Sequence, residues 1–140
     1  MTLDSVLSCT QATPRPTLGT GTEWIVDADG CDPQLLSCLQ TMSTLCDDIA
    51  ADLGLNVVGL PHWHQFPGPA GVTGLYLLSE SHLACHTYPE LQCATFNLYC
   101  CRERSEWPWI LELSRRLSAA RVRLRRVDRG TLLDTTEGQA

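Results

Sequence analysis

Apolar positions along the middle of the chain recur with two different periods, and the switches between them lay out the elements. Between Glu23 and Ala28 the residues alternate, Trp24 and Val26 toward one face and Ile25 toward the other, which predicts a strand ended by Asp29-Gly30. From Asp32 the spacing changes. Leu35, Leu39, Met42, Cys46, Ile49 and Leu53 follow one another by four, three, four, three and four, which is one apolar face of a single long helix. Asp32 suits its N-cap, Pro33 its first position and Gly54 its end. Leu55 to Leu60 predicts a second strand, running irregularly through His62-Trp63-His64-Gln65-Phe66 into a turn at Pro67-Gly68-Pro69-Ala70. Val72 to Leu78, His82 to Tyr88 and Cys93 to Tyr99 predict three more strands, with a break near Glu80-Ser81. Glu106-Trp107-Pro108-Trp109 opens a second helix that buries Ile110, Leu113 and Leu117, and Val122 to Val127 alternates as a last strand.

Two helices and five or six strands in this order predict an α+β two-layer sandwich, a mainly antiparallel sheet with both helices on one face. The length of 140 residues suits one domain over residues 22–130, with a core large enough to fold without staples. Residues 1–21, rich in Thr, Ser and Pro, predict a disordered tail. The polar run from Asp128 onward predicts fraying, with residues 131–140 a second tail.

Charge and composition then remove several classes of function. A net charge of -6 argues against nucleic-acid binding, which needs a basic surface to neutralise phosphates, and suits a cationic small molecule better. No apolar stretch is long enough to cross a bilayer, and the N-terminus lacks a basic segment followed by an apolar core, so a cytoplasmic protein without membrane partners is expected. All ten basic residues are Arg. Without Lys the chain cannot hold pyridoxal phosphate, which is carried as a Schiff base on a lysine. The eight Cys contain no Cys-x-x-Cys pair, and the spacing of His82 and His86 is not a recognised zinc pattern, so a metal-binding module is set aside and no metal is expected. Most of the thiols read as reduced, buried small hydrophobes.

One run concentrates nucleophiles, acids and imidazoles: Ser79-Glu80-Ser81-His82-Leu83-Ala84-Cys85-His86-Thr87-Tyr88-Pro89-Glu90. Taken alone, its first residues are ordinary turn material between two strands. Taken with Gly71-Val72-Thr73-Gly74 before it and Leu98-Tyr99-Cys100-Cys101 after it, the run resembles the short prokaryotic S-adenosylmethionine decarboxylase proenzymes. Their pattern is Gly-Val-Ser-Gly, then Glu-Ser-His, then His-Thr-Trp-Pro-Glu, then an Asp-containing strand ending in Cys. The likeness extends from about Glu23 to Gly130 and is most specific between Gly71 and Cys101.

Decarboxylating an α-amino acid leaves negative charge on Cα, which no ordinary side chain can delocalise, so an electrophilic carbonyl is required. The resemblance implies that a pyruvoyl group made from Ser81 provides it. Ser81 Oγ would attack the Glu80 carbonyl and convert the amide to an ester, elimination would free the upstream chain, and the dehydroalanine would hydrolyse to pyruvoyl. The resemblance further implies His86 as processing base, Thr73 as the hydroxyl that helps bind the carbonyl oxygen, and Cys101 as proton donor to Cα, with Cys100 an adjacent competitor. It implies Phe66 stacking on the adenine, Glu90 on the ribose hydroxyls, and protomers paired as a homodimer. His62, His64 and His82 read as hydrogen-bonded polar side chains rather than catalytic ones. The chain departs from the pattern at Thr73 for Ser, Tyr88 for Trp and Asn97 for Asp, and it lacks a His on the first strand. The expected reaction is decarboxylation of S-adenosylmethionine for polyamine synthesis. The alternatives are a pyruvoyl-dependent decarboxylase of a basic amino acid such as ornithine or arginine, with Glu90, Glu23 or Asp27 holding the distal cation, and a homologue that never processes.

Overall fold

The computed structural model describes residues 21–130; the two predicted tails lie outside these, apart from Gly21, which opens the first strand. The elements are β1 (Gly21–Asp29), α1 (Pro33–Leu36), α2 (Leu39–Asp52), β2 (His62–Gln65), β3 (Val72–Leu78), β4 (Ser81–Tyr88), a 3-10 turn (Pro89–Leu91), β5 (Cys93–Cys100), α3 (Trp109–Leu117) and β6 (Arg121–Arg129). Six strands form one antiparallel sheet in the order β2-β3-β4-β5-β1-β6. The helices cover one face, as the α+β pattern predicts. On that face the buried residues alternate along β1, β3, β4 and β5, with Trp24, Tyr76, Leu83 and Phe96 among the largest, and they meet Leu36, Met42, Ile49, Leu113 and Leu117. No described helix is long and apolar enough to cross a membrane.

The predicted long helix is two pieces. Ser37 closes α1 and Cys38 is extended (φ -91, ψ 104), although the apolar spacing runs straight through both. Tertiary hydrogen bonds hold the interruption open: Thr87 Oγ1 donates to the Leu36 carbonyl at 2.8 Å, and Gln65 Nε2 donates to that of Ser37 at 2.7 Å. Leu39, expected on the buried stripe, is exposed as a result. Leu55 to Leu60 is not a strand either. Gly54 and Gly59 turn the chain at positive φ on either side, leaving one bridge, Val57 to Leu78, on the edge of β3. In α3 the buried positions are Trp109, Leu113 and Leu117, whereas Ile110 faces solvent. β6 also runs on through Asp128 and Arg129, where fraying was expected.

The opposite face of the sheet is uncovered. Leu75 is 47% exposed and Leu77 59%, both apolar and both within β3. At the other edge Arg121, Arg123 and Arg125 of β6 lie against Asp27 and Asp29 of β1, and Arg129 pairs with Glu23.

Candidate active site

The corner between β3 and β4 carries Glu80 and Ser81. Glu80 is only 6% exposed, its carboxylate accepting from Arg104 Nη2 at 2.9 Å and from Ser79 Oγ at 3.1 Å. Burial pushes its pKa up, but hydrogen bonds from its own backbone N–H, Ser79, Arg104 and the backbone of Asn56 outweigh that and hold the carboxyl below the usual range. The Glu80 main-chain carbonyl accepts from the Cys101 N–H at 3.0 Å, a contact that follows from the pairing of Ser81 with Cys100. Ser81 sits at φ +154, a backbone conformation that strains an L-residue. Its Oγ lies 3.1 Å from His82 Nδ1, and His82 Nε2 lies 3.2 Å from the Asn97 amide nitrogen on β5. The corner therefore presents a hydroxyl against an imidazole, beside a carbonyl polarised by a main-chain donor.

Cys101 is exposed and lines a cavity of about 320 Å³ with Thr22, Arg126 and Arg129. Its neighbour Cys100 is fully buried, and burial first, then the nearby Glu80 and Cys101, push its thiol up to about 11 against the opposing pull of Arg104.

Thr73, His86, Phe66 and Glu90 gather at the other end of the sheet. Thr73 and His86 are cross-strand partners with Oγ1 and Nδ1 2.5 Å apart. The His86 ring lies 4.4 Å from that of Tyr88 and 5.7 Å from that of Phe66, centroid to centroid. Phe66, Pro69, Gly71, His86, Tyr88 and Glu90 line a shallow cavity of about 270 Å³. Both glycines of the Gly71-Val72-Thr73-Gly74 run have a steric reason. A Cβ on Gly71 would sit 2.5 Å from the Thr87 carbonyl oxygen, and one on Gly74 would sit 2.5 Å from the Trp63 ring.

The structure thus does not bring the predicted residues together within one protomer. Ser81 and His86 lie in the same strand, and five residues at about 3.3 Å each set them on the order of 16 Å apart. That separation was computable from the predicted strand His82 to Tyr88. Two further residues at the corner had weaker signals: His82 read as structural, and Arg104 carried no motif. Among the described residues no three His, Cys, Asp or Glu side chains converge as a metal site would require.

The fold has a solved counterpart. The crystal structure of the adenosylmethionine decarboxylase from Aquifex aeolicus superposes with a TM-score of 0.69 at 25% identity, over 83% of this chain and 95% of that one. A family model described as S-adenosylmethionine decarboxylase matches residues 22–130. Among curated relatives, the S-adenosylmethionine decarboxylase proenzyme of Pelotomaculum thermopropionicum is 32% identical over 116 residues, 82% of this chain and 90% of the relative. That of Moorella thermoacetica is 30% identical over 113 residues, 80% and 89% respectively. Fold and relatives together define the chain as an enzyme of the carboxy-lyase class, of a type made as a proenzyme. It belongs to the S-adenosylmethionine decarboxylase family.

Proposed function

We propose that the chain cleaves itself between Glu80 and Ser81 and, as a cytoplasmic homodimer of processed protomers, decarboxylates S-adenosyl-L-methionine. The product is an aminopropyl donor for spermidine and other polyamines. The observation that carries this reading is the Glu80-Ser81 corner: an anchored acid, a strained serine, and a scissile carbonyl held by the Cys101 N–H at 3.0 Å. A pyruvoyl group formed at position 81 supplies the electrophilic carbonyl that takes up the electrons left when carbon dioxide departs. The corner fits such a group. Position 81 is part-exposed on the strand end, and Cys101 follows directly on Cys100, the pairing partner of Ser81.

The chain's own residues divide the remaining work. Cys101, exposed where Cys100 is buried, delivers a proton to the substrate Cα. Phe66 stacks on the adenine, its π face also drawing the sulfonium charge, and Glu90 accepts from the ribose hydroxyls beside it. Thr73 and His86 serve processing, Thr73 on the carbonyl oxygen and His86 on the Ser81 Cα proton during elimination.

A separation on the order of 16 Å along one strand supports a reading in which His86 acts on the serine of a second copy. Leu75, Leu77, Ala84 and Tyr99 lie on the uncovered face, between the two ends. A two-fold axis lying along that face and perpendicular to the strands would bury it, run the facing strands in opposite directions, and bring the Ser81 end of each β4 to the partner's far end. The site is then shared, and each protomer contributes to two of them.

Self-cleavage is tested by denaturing mass spectrometry of purified protein, which should show fragments 1–80 and 81–140 for wild type and one intact chain for Ser81→Ala. Release of labelled carbon dioxide from S-adenosylmethionine, ornithine and arginine tests the substrate. The relatives do not favour a basic amino acid, and turnover of ornithine or arginine alone would overturn the substrate while leaving the electrophile standing. A wild-type chain that stays whole overturns both.

A further inference from the structure

The processing base implied by resemblance is His86, yet the imidazole that touches the nucleophile is His82. We propose that His82 is the proton acceptor for the first step of self-cleavage, the shift of the Glu80 acyl group from nitrogen to oxygen, and that Asn97 is its positioning residue. The inference rests on self-cleavage at Glu80-Ser81 and assigns His86 to the later elimination alone.

Three observations meet at this corner. His82 Nδ1 is 3.1 Å from Ser81 Oγ, within reach for direct proton transfer. The Glu80 carbonyl that Oγ must attack is held at 3.0 Å by the Cys101 N–H, a main-chain donor placed for the oxyanion that develops there. Asn97 reaches the far side of the same imidazole at 3.2 Å. The nucleophile, its proton acceptor and a main-chain donor to the carbonyl therefore belong to one protomer, whereas Thr73 and His86 of that same protomer lie at the far end of the sheet.

The step balances without any outside reagent. Ser81 Oγ forms a bond to the Glu80 carbonyl carbon and its proton passes to His82 Nδ1. The carbon–nitrogen bond of the scissile amide then breaks, and the same proton is returned to the departing Ser81 nitrogen. The result is an ester with a free amine, the isomer of the starting amide. The second step begins only when the Ser81 Cα proton is removed and the Cβ–Oγ bond breaks.

Asn97 decides which imidazole nitrogen is free. With its oxygen toward His82 it accepts from Nε2–H and leaves the Nδ1 lone pair to the serine hydroxyl. With its nitrogen there it does the reverse. Rotating the amide through 180° exchanges the two at the same distance, and among the described residues no other side chain holds Asn97 in either state. An Asp at this position permits only the first. The groups facing His82 from the flanking strands are Tyr99 on β5, with rings 6.0 Å apart, Leu77 on β3, and, beyond Tyr99, Glu23 tied to Arg129. Cys101 and the Glu80–Arg104 pair close the corner end.

The test follows cleavage of freshly purified full-length precursor, with and without hydroxylamine, which cuts esters and spares amides. His82→Ala should slow fragment formation about 100-fold or more, and its intact chain should resist hydroxylamine. The His86→Ala chain should also stay whole, but hydroxylamine should cut it at Glu80, because its ester still forms. Asn97→Asp should keep cleaving and move the acid limb of the rate against pH upward, since a carboxylate raises the pKa of the base that must be neutral. Thermal melts matching wild type exclude misfolding as the cause. The proposal is overturned if His82→Ala cleaves within about threefold of wild type, or if its intact chain is cut by hydroxylamine. Wild type that never cleaves removes the reading beneath it as well, and so separates the two failures.

Discussion

The two ends of β4 are built from different materials. At the Ser81 end the groups are held by charge and main chain: a buried carboxylate on Arg104, a carbonyl on a backbone N–H, and a serine in strained geometry. At the Tyr88 end they are held by aromatic faces around an open cavity, with Glu90 exposed at its rim. One end is suited to being chemically altered and the other to receiving a flat, cationic ligand. On the proposed reading the sheet carries the two halves of a site out of reach of each other, and a second copy brings them together.

The strongest way to break this comparison is complementation. Ser81→Ala lacks the nucleophile and His86→Ala lacks the far-end imidazole, so each should remain uncleaved alone. In co-expressed mixtures the His86→Ala chain should be cut, and the Ser81→Ala chain never, because only mixed pairs join an intact Ser81 to an intact His86. Mass spectrometry distinguishes the two chains. A mixture that stays whole, with mixed pairs shown by differential tagging, ends the shared-site reading.

The alternation of β3, β4 and β5 was legible because one face of each strand is buried, and so was the residue chemistry of both ends. The break in the helix was not. Leu35, Leu39 and Met42 keep helical spacing through Ser37-Cys38, and the donors that interrupt it, Thr87 and Gln65, come from strands far along the chain. The role of Leu55 to Leu60 was misread for a local reason, since Gly54 and Gly59 leave too few residues between turns to sustain a ladder. At the site, the motif gave the residue types but hid their distances, which the strand rise alone sets.

A smaller effect separates the two adjacent thiols. A proton donor works best when its pKa lies near the working pH, and the Cys100 thiol, pushed up to about 11 by burial, is a weak acid pointing away from solvent. Cys101→Ala should therefore process but lose about 100-fold in carbon dioxide release. Cys100→Ala should keep turnover within a few-fold and lose about 1 kcal/mol of stability, as a buried small side chain does. Equal losses in both variants would move the donor role away from Cys101.

A further effect, on stability alone, concerns Glu80 and is best read in the Ser81→Ala background, where cleavage cannot add a second carboxylate at position 80. Its folded pKa lies below its unfolded value, so the stabilisation is fully present above the ordinary glutamate range and fades as pH falls through the folded value. Glu80→Gln keeps an acceptor for Arg104 and Ser79 but removes the charge, and at neutral pH it should cost about 1 to 2 kcal/mol, the worth of a hydrogen bond to a charged group. Melts recorded from neutral pH down through the glutamate range should show the difference between the two chains shrinking steadily. The far end offers the control. Glu90 is exposed, and Glu90→Gln should leave the melting temperature unchanged at every pH. A gap at Glu80 that widens on acidification, or one matched by Glu90, would mean that the corner's acid is not held by Arg104 and its main-chain donors.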